Sequence, residues 1–198
     1  MSANQTPLQG AVLEQARALL LTAAQALDRA GLHWHLEGGT LLGIVRDGDL
    51  LPWDTDMDVS VQADDAPHLL AALRAALPWR DWRLAPRRFT ADGPAWRRGQ
   101  LRLLKVASRR LGFLDGPLRL DVFVKYRADG HAWWQAEEKV MRVPEAHYAG
   151  HDPVAWRGAT LRAPRDHAGY LALKYGDWRT PVKDWQAGRD EKTIVGDA

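Results

Sequence analysis

Two stretches of this chain put carboxylates where a β-sheet has little use for them. Asp56 to Val61 (DMDVSV) alternates polar and apolar residues at the strand period of two. Asp56 and Asp58 therefore share one face, and Asp54 adds a third acid in register if the strand begins that early. Leu118 to Val124 (LRLDVFV) is a mainly apolar strand whose one carboxylate is Asp121. A carboxylate on a packed sheet face is costly unless a counter-charge or a metal ion meets it. Two plainer alternatives stand beside that reading. The paired acids could face water on an edge strand, and Asp121 could form an ion pair, for instance with Arg119. Either way, the fold has to bring these strands to a place where the cost is met.

Composition narrows the chemistry. The 198 residues contain no cysteine, which excludes disulfides, zinc-thiolate sites, Fe–S clusters and a cysteine nucleophile, and fits the cytoplasm. No apolar run reaches the eighteen residues of a membrane span. The start, MSANQTPLQG, lacks the basic and apolar regions of a signal peptide. A cytoplasmic location is the expectation. The net charge is only +2, which argues against a dedicated nucleic-acid binder. The charges are segregated, however. Glu37 to Asp65 holds eight acids and one base, whereas Arg80 to Arg110 holds ten bases and two acids. That arrangement suits a site holding a cation and a polyphosphate together, or simply two solvated faces.

Periodicity predicts an α+β fold in one domain, residues 1–198, with a mixed β-sheet flanked by helices. An amphipathic helix spans about 8–30 and stops at Gly31. Leu32–Leu36 reads as a strand, Thr40–Val45 as a short helix capped near Thr40, and Asp64 or Asp65 caps a helix running to about Leu77. Strands are expected at 83–88, 101–108, 119–126, 131–135 and 140–143, with a turn at 114–117 and a hairpin turn at Ala128-Asp129-Gly130. A short extended piece covers 159–161. Asp166 caps a helix that ends at Gly176, and the tail, about 183–198, is polar and irregular.

Between the first strand and the short helix lie Gly38-Gly39-Thr40. Two glycines allow close backbone approach, and a helix N-terminus offers free N–H groups. This is a phosphate cradle in outline, although an ordinary tight turn has the same composition. A glycine pair, then paired acids, then a lone acid on a later strand is the layout of metal-assisted phosphoryl transfer. Oxygen-only ligands suit Mg²⁺ or Mn²⁺. His33 and His35 would share a strand face but lack a third ligand, and no serine has the glycine flanks of a nucleophile elbow. The Arg-rich run from Arg97 to Arg110 could meet an acidic ligand or coat the surface.

The residues Gly38-Gly39-Thr40-Leu41-Leu42-Gly43, then Arg46, then Pro52-Trp53-Asp54-Thr55-Asp56-Met57-Asp58, resemble the signature of the LicD family, which includes the fukutin-related proteins. A second stretch is similar to the family's closing segment: Trp156-Arg157-Gly158-Ala159-Thr160-Leu161, Pro164, Tyr170-Leu171, Tyr175-Gly176-Asp177-Trp178 and Pro181. The resemblance covers roughly 30–62, 118–124 and 155–182. It implies a nucleotidyltransferase-like fold related to polymerase β. It also implies a Mg²⁺- or Mn²⁺-dependent transferase that moves a phospho-alcohol group, such as phosphocholine or ribitol phosphate, from a CDP-linked donor to a hydroxyl of a sugar or glycan acceptor. CMP would leave.

By that resemblance Asp56 and Asp58 are metal ligands and catalytic, with Asp54 a further candidate. Asp121 is the third carboxylate, completing the metal site or taking the acceptor's proton. Gly38, Gly39 and Thr40 correspond to the nucleotide-phosphate loop. Arg46 pairs with a phosphate, or with Asp54 or Glu37. Lys174 is a candidate for steadying the leaving nucleotide, or a solvated helix lysine. Tyr175 and Trp178 stack on a ligand or belong to the core. A related activity, moving NMP from an NTP with release of pyrophosphate, uses the same acids, and a non-catalytic binding module would not need them.

Overall fold

The computed structural model describes residues 6–136, 138–182 and 185–198. Helix α1 (Gly10–Arg29) buries Ala16, Leu19, Leu20, Ala23, Ala24 and Leu27, the stripe that its three- and four-residue spacing dictates. Strand β1 (Trp34–Leu36) leads directly into helix α2 (Gly38–Asp47), and β2 (Met57–Gln62) returns antiparallel to β1. A 3-10 turn (Ala63–Asp65) precedes α3 (Ala66–Ala76), which packs on α1. Asp65 stands at the start of that helix, but its carboxylate goes to the His33 backbone and ring instead of capping.

The centre of the sheet is β5 (Leu114–Ala128). It pairs in parallel with β2 and antiparallel with β4 (Leu101–Arg110), and β3 (Trp82–Arg88) lies outside β4. The C-terminal end of β5 turns through Asp129-Gly130, both at positive φ, into β6 (His131–Ala136), followed by β7 (Lys139–Pro144). Alternation sorts the two faces of the central pair. Met57, Val59 and Val61 with Leu120, Val122 and Val124 are fully buried in the core, on the side packed by α1. Asp58, Asp121 and Lys125 point to the other face.

Beyond a 3-10 turn (Glu145–Tyr148), a separate hairpin, β8 (His151–Trp156) and β9 (Ala159–Pro164), packs against β1. Helix α4 (His167–Tyr175) follows, its cap Asp166 accepting a hydrogen bond from the Gly169 N–H. No helix among the described residues is long and apolar enough to cross a membrane.

The sequence expectations need four corrections. Residues 114–117 belong to β5, paired opposite Arg109 and Arg110, and the chain reverses earlier, at Leu111-Gly112-Phe113. The β8 strand has no clear alternation and escapes a periodicity reading. The tail is not wholly irregular. It forms a short helix, α5 (Ala187–Asp190), and a strand, β10 (Ile194–Asp197), that pairs antiparallel with β7. Residues 183 and 184 of that tail lie outside the described residues. Finally, Gly38 and Gly39 do not form a loop before the helix: they are its first turn, and Glu37 is the cap, accepting from the Gly38 N–H at 3.2 Å.

Candidate active site

The parallel register of β2 and β5 sets Asp58 beside Asp121, and the antiparallel register of β4 sets Lys105 beside Asp121 on its other flank. The Lys105 ammonium is 2.7 Å from the Asp121 carboxylate. Lys105, and not Arg119, is thus the partner of Asp121. Asp56 sits one residue before the start of β2, and Asp54 two residues earlier in the approach loop. That loop is pinned from outside: the Leu8 N–H donates to the Asp54 carbonyl at 2.8 Å, and the Gln9 amide to the Pro52 carbonyl at 3.0 Å. Arg17 of α1 grips Asp49 at the loop's start.

Burial and like charge dominate the electrostatics. Burial, then Asp121, pushes the Asp56 carboxyl up. Burial, then Asp56 and Asp121, pushes Asp58 well above the ordinary carboxylate range. Asp54 is pushed up to about 7 by burial and by Asp56, against the pull of Arg46. Lys105 is the one ammonium paired with any of these four acids among the described residues. Such an assembly calls for a cation.

The glycines explain how the acids fit. A Cβ on Gly38 would stand 2.5 Å from an Asp58 carboxylate oxygen, and one on Gly39 would collide with the Asp54 carboxylate. Gly38 is also at φ +55°. The first turn of α2 is bare so that Asp58 and Asp54 can lie against it. Thr40 does not reach outward. Its hydroxyl oxygen accepts the Asp58 backbone N–H at 2.8 Å, fixing β2 at the acid.

Below the acids lies a buried ionic network. Glu37 is 2.9 Å from the Lys125 ammonium and 3.2 Å from that of Lys174, and it accepts hydrogen bonds from the Tyr148 and Tyr170 hydroxyls. Lys174 also pairs with Glu191 at 2.9 Å, and Lys125 lies 3.3 Å over the Trp134 ring. Burial raises the Glu37 carboxyl, but the two lysines outweigh it and hold the group far below the usual range. Lys125 is pushed down to about 8 by burial, with Glu37 opposing. The structure therefore places Lys174 inside the network, where it steadies the cap of α2. Sequence reasoning missed Lys125, although its signal resembles that of Asp121: a charged residue next to the apolar run Val122-Phe123-Val124 of β5.

A cavity of about 430 Å³ opens over the acids, lined by Gly39, Asp54, Asp56, Asp58, Asp121 and, from β4, Arg102 and Lys105. Tyr175 and Trp185 form its aromatic side, with ring centroids 4.9 Å apart. Arg46 does not enter this lining. It hydrogen-bonds Asp47 at 2.8 Å and reaches the Trp178 carbonyl at 3.4 Å, and so pairs with neither Asp54 nor Glu37. Trp178 is buried, as a core residue would be. His33 and His35 part company: His33 is exposed against Asp65, and His35 is buried with its Nε2 donating to the Gly150 carbonyl at 2.9 Å.

Among the described residues, no three acids or histidines already converge on one metal position, and Asp121 is turned toward Lys105. The donor chemistry nevertheless fits a hard divalent cation. The donors are all carboxylate oxygens, no thiolate exists, and the Asp56 and Asp58 carboxyls carry the strain of crowded like charge.

Acids delivered by two parallel strands onto a glycine-led helix N-terminus, under a polar cavity, form the cleft of a nucleotidyltransferase-type enzyme domain. The family model for the LicD/FKTN/FKRP nucleotidyltransferase domain matches residues 31–166, and the chain belongs to that family. The match spans the segment 78–112, which has no recognisable signature of its own. Human "Ribitol 5-phosphate transferase FKRP" is 28% identical over 154 residues, covering 76% of this chain and 29% of the human protein. Human "Ribitol-5-phosphate transferase FKTN" is 24% identical over 189 residues, covering 91% of this chain and 37% of the relative. The chain thus spans about a third of the length of these relatives. Among solved structures, ANT(2″)-Ia in complex with adenylyl-2″-tobramycin aligns at a TM-score of 0.47 with 17% identity, over 88% of this chain and 83% of its own.

Proposed function

We propose that this domain transfers a phospho-alcohol group, of the ribitol-phosphate or phosphocholine type, from a CDP-linked donor to a hydroxyl of a sugar or glycan, releasing CMP. One observation carries the reading: Asp56, Asp58 and Asp121 crowd one partly buried cleft with Lys105 as their paired ammonium. The names of the relatives, both ribitol-phosphate transferases, support the transferred group.

In this reading Asp56 and Asp58, with Asp121 and Asp54 as further donors, hold Mg²⁺ or Mn²⁺, which supplies charge neutralisation at a diphosphate. The chain's own residues do the rest. The bare first turn of α2 seats the Asp54 and Asp58 carboxylates against the helix N-terminus, which holds them toward the cleft. Lys105 and Arg102 on β4 face the charge that develops on the leaving phosphate. Asp121, with one oxygen on Lys105, has its other oxygen to accept the proton of the attacking hydroxyl. Tyr175 and Trp185 offer a flat wall for a base or an alcohol chain.

The test is product analysis with CDP-ribitol and CDP-choline, a sugar acceptor and Mg²⁺ or Mn²⁺. CMP release that disappears in Asp58→Ala is expected. Pyrophosphate from an NTP, with no CMP from either CDP compound, would replace this reading by nucleotidyl transfer.

A further inference from the structure

The chain reversal between β4 and β5 exposes residues that a sheet hairpin normally hides. Leu111 is 81% exposed and Phe113 76%. Trp79, from the loop before β3, is 61% exposed. The two loops form one unit. The Arg109 guanidinium donates to the Trp79 carbonyl at 3.0 Å and to the Gly112 carbonyl at 3.3 Å, and the Arg109 N–H donates to the Asp81 carbonyl at 2.7 Å. Three large apolar side chains therefore sit at one end of the molecule, held by a single arginine.

Leu111 also sits at φ +53°, beside Gly112 at φ +77°. A tight turn with successive positive φ values favours Asn-Gly, and leucine is strained there. An exposed, strained leucine gives the fold nothing, so its use lies outside the fold. The surrounding charge indicates what that use is. Arg83 pairs with Asp115, and Arg109 is taken up as the staple. Arg80 lies 5.6 Å from the Trp79 ring centre, and neither it nor Arg110 has a carboxylate partner among the described residues. The tip thus carries exposed Leu, Phe and Trp collared by arginine in excess of the two nearby acids, Asp81 and Asp115. A tip with this composition matches the apolar-to-headgroup boundary of an anionic bilayer, where Trp and Arg reside naturally.

We propose that the β4–β5 tip, with the Trp79 loop, docks this protein onto anionic membrane surfaces. Leu111, Phe113 and Trp79 enter the headgroup boundary, and Arg80 and Arg110 pair with lipid phosphates. Asp121 lies seven residues along β5 from Leu114, so docking would hold the acidic cleft roughly 20 Å above the lipid.

The experiment is co-sedimentation of the full chain with vesicles of phosphatidylcholine alone and of phosphatidylcholine with phosphatidylglycerol. Binding is expected only to the anionic vesicles, weakening with added salt. The double variant L111N/F113S should reduce the bound fraction roughly a hundredfold at equal lipid, as expected for losing two buried apolar side chains. Its melting temperature checks that the fold is kept, because asparagine suits the turn better than leucine. The variant R80Q/R110Q should abolish the preference for anionic lipid. Equal binding by L111N/F113S, or no binding of the native chain to either vesicle, overturns the proposal. The latter result would turn the tip over to a protein partner.

Discussion

Asp58 has burial, Asp56 and Asp121 all pushing its carboxyl up, and no hydrogen bond to its carboxylate is seen among the described residues. Removing that charge should therefore stabilise the metal-free protein while ending turnover. We expect Asp58→Asn to raise the melting temperature in a chelator by a few degrees, or about 1 kcal/mol. We also expect it to lose the stabilisation that Mg²⁺ gives the native chain. Thermal melts with and without Mg²⁺ check both, and a lower metal-free melting temperature would count against crowding as the source of the shift. His35 makes a second residue-scale case. Burial holds its pKa down at about 4, with the Gly150 carbonyl and Glu37 opposing. The unfolded chain takes up that proton near 6.5, so the unfolded state binds more protons between those values. His35 stability is thus full above pH 6.5 and is lost as pH falls toward 4, about 3 kcal/mol in all. His35→Gln, still able to meet the Gly150 carbonyl, should flatten that loss in denaturation curves measured across the range.

Helix α2 depends on its first turn and on the charge beneath it. Gly38→Ala adds a Cβ at a positive φ and against Asp58. It should cost about 1–3 kcal/mol and weaken the Mg²⁺ response, read by urea denaturation and by titration of the melting temperature. Glu37→Leu strips the carboxylate from between two buried lysines and should cost about 3–5 kcal/mol in the same urea assay. The sequence carried much of this element's meaning. The glycine pair and the acids at 54, 56 and 58 were legible because their residue types have few other uses in a strand–helix–strand unit. Their arrangement was not. A glycine that admits a phosphate and a glycine that admits a carboxylate have the same composition, and only the placed Asp58 distinguishes them. Lys105 was hidden for a similar reason. It lies in a run of surface bases, and only the antiparallel register of β4 picks it out as the partner of Asp121. The network of Glu37, Lys125 and Lys174 joins residues 37, 125 and 174, which no local pattern connects.

For the molecule as a whole, the tail is structural. β10 covers the edge of β7, and the Lys192 N–H just before it donates to the Lys174 carbonyl at 3.0 Å. A chain ending at residue 193 should leave the outer edge of β7 unpaired and lose about 2 kcal/mol in urea denaturation, with aggregation at the bared edge. The parallel register of Asp58 with Asp121 has a consequence in time as well as in space. The two acids are 63 positions apart, and everything between them must be looped out before they can meet. Closing so long a loop costs entropy that only the finished sheet repays, so contacts of this kind form late. The cleft is therefore absent from partly folded chains. During refolding, tryptophan fluorescence should recover ahead of metal-dependent activity, and catalytic competence marks the completion of the fold.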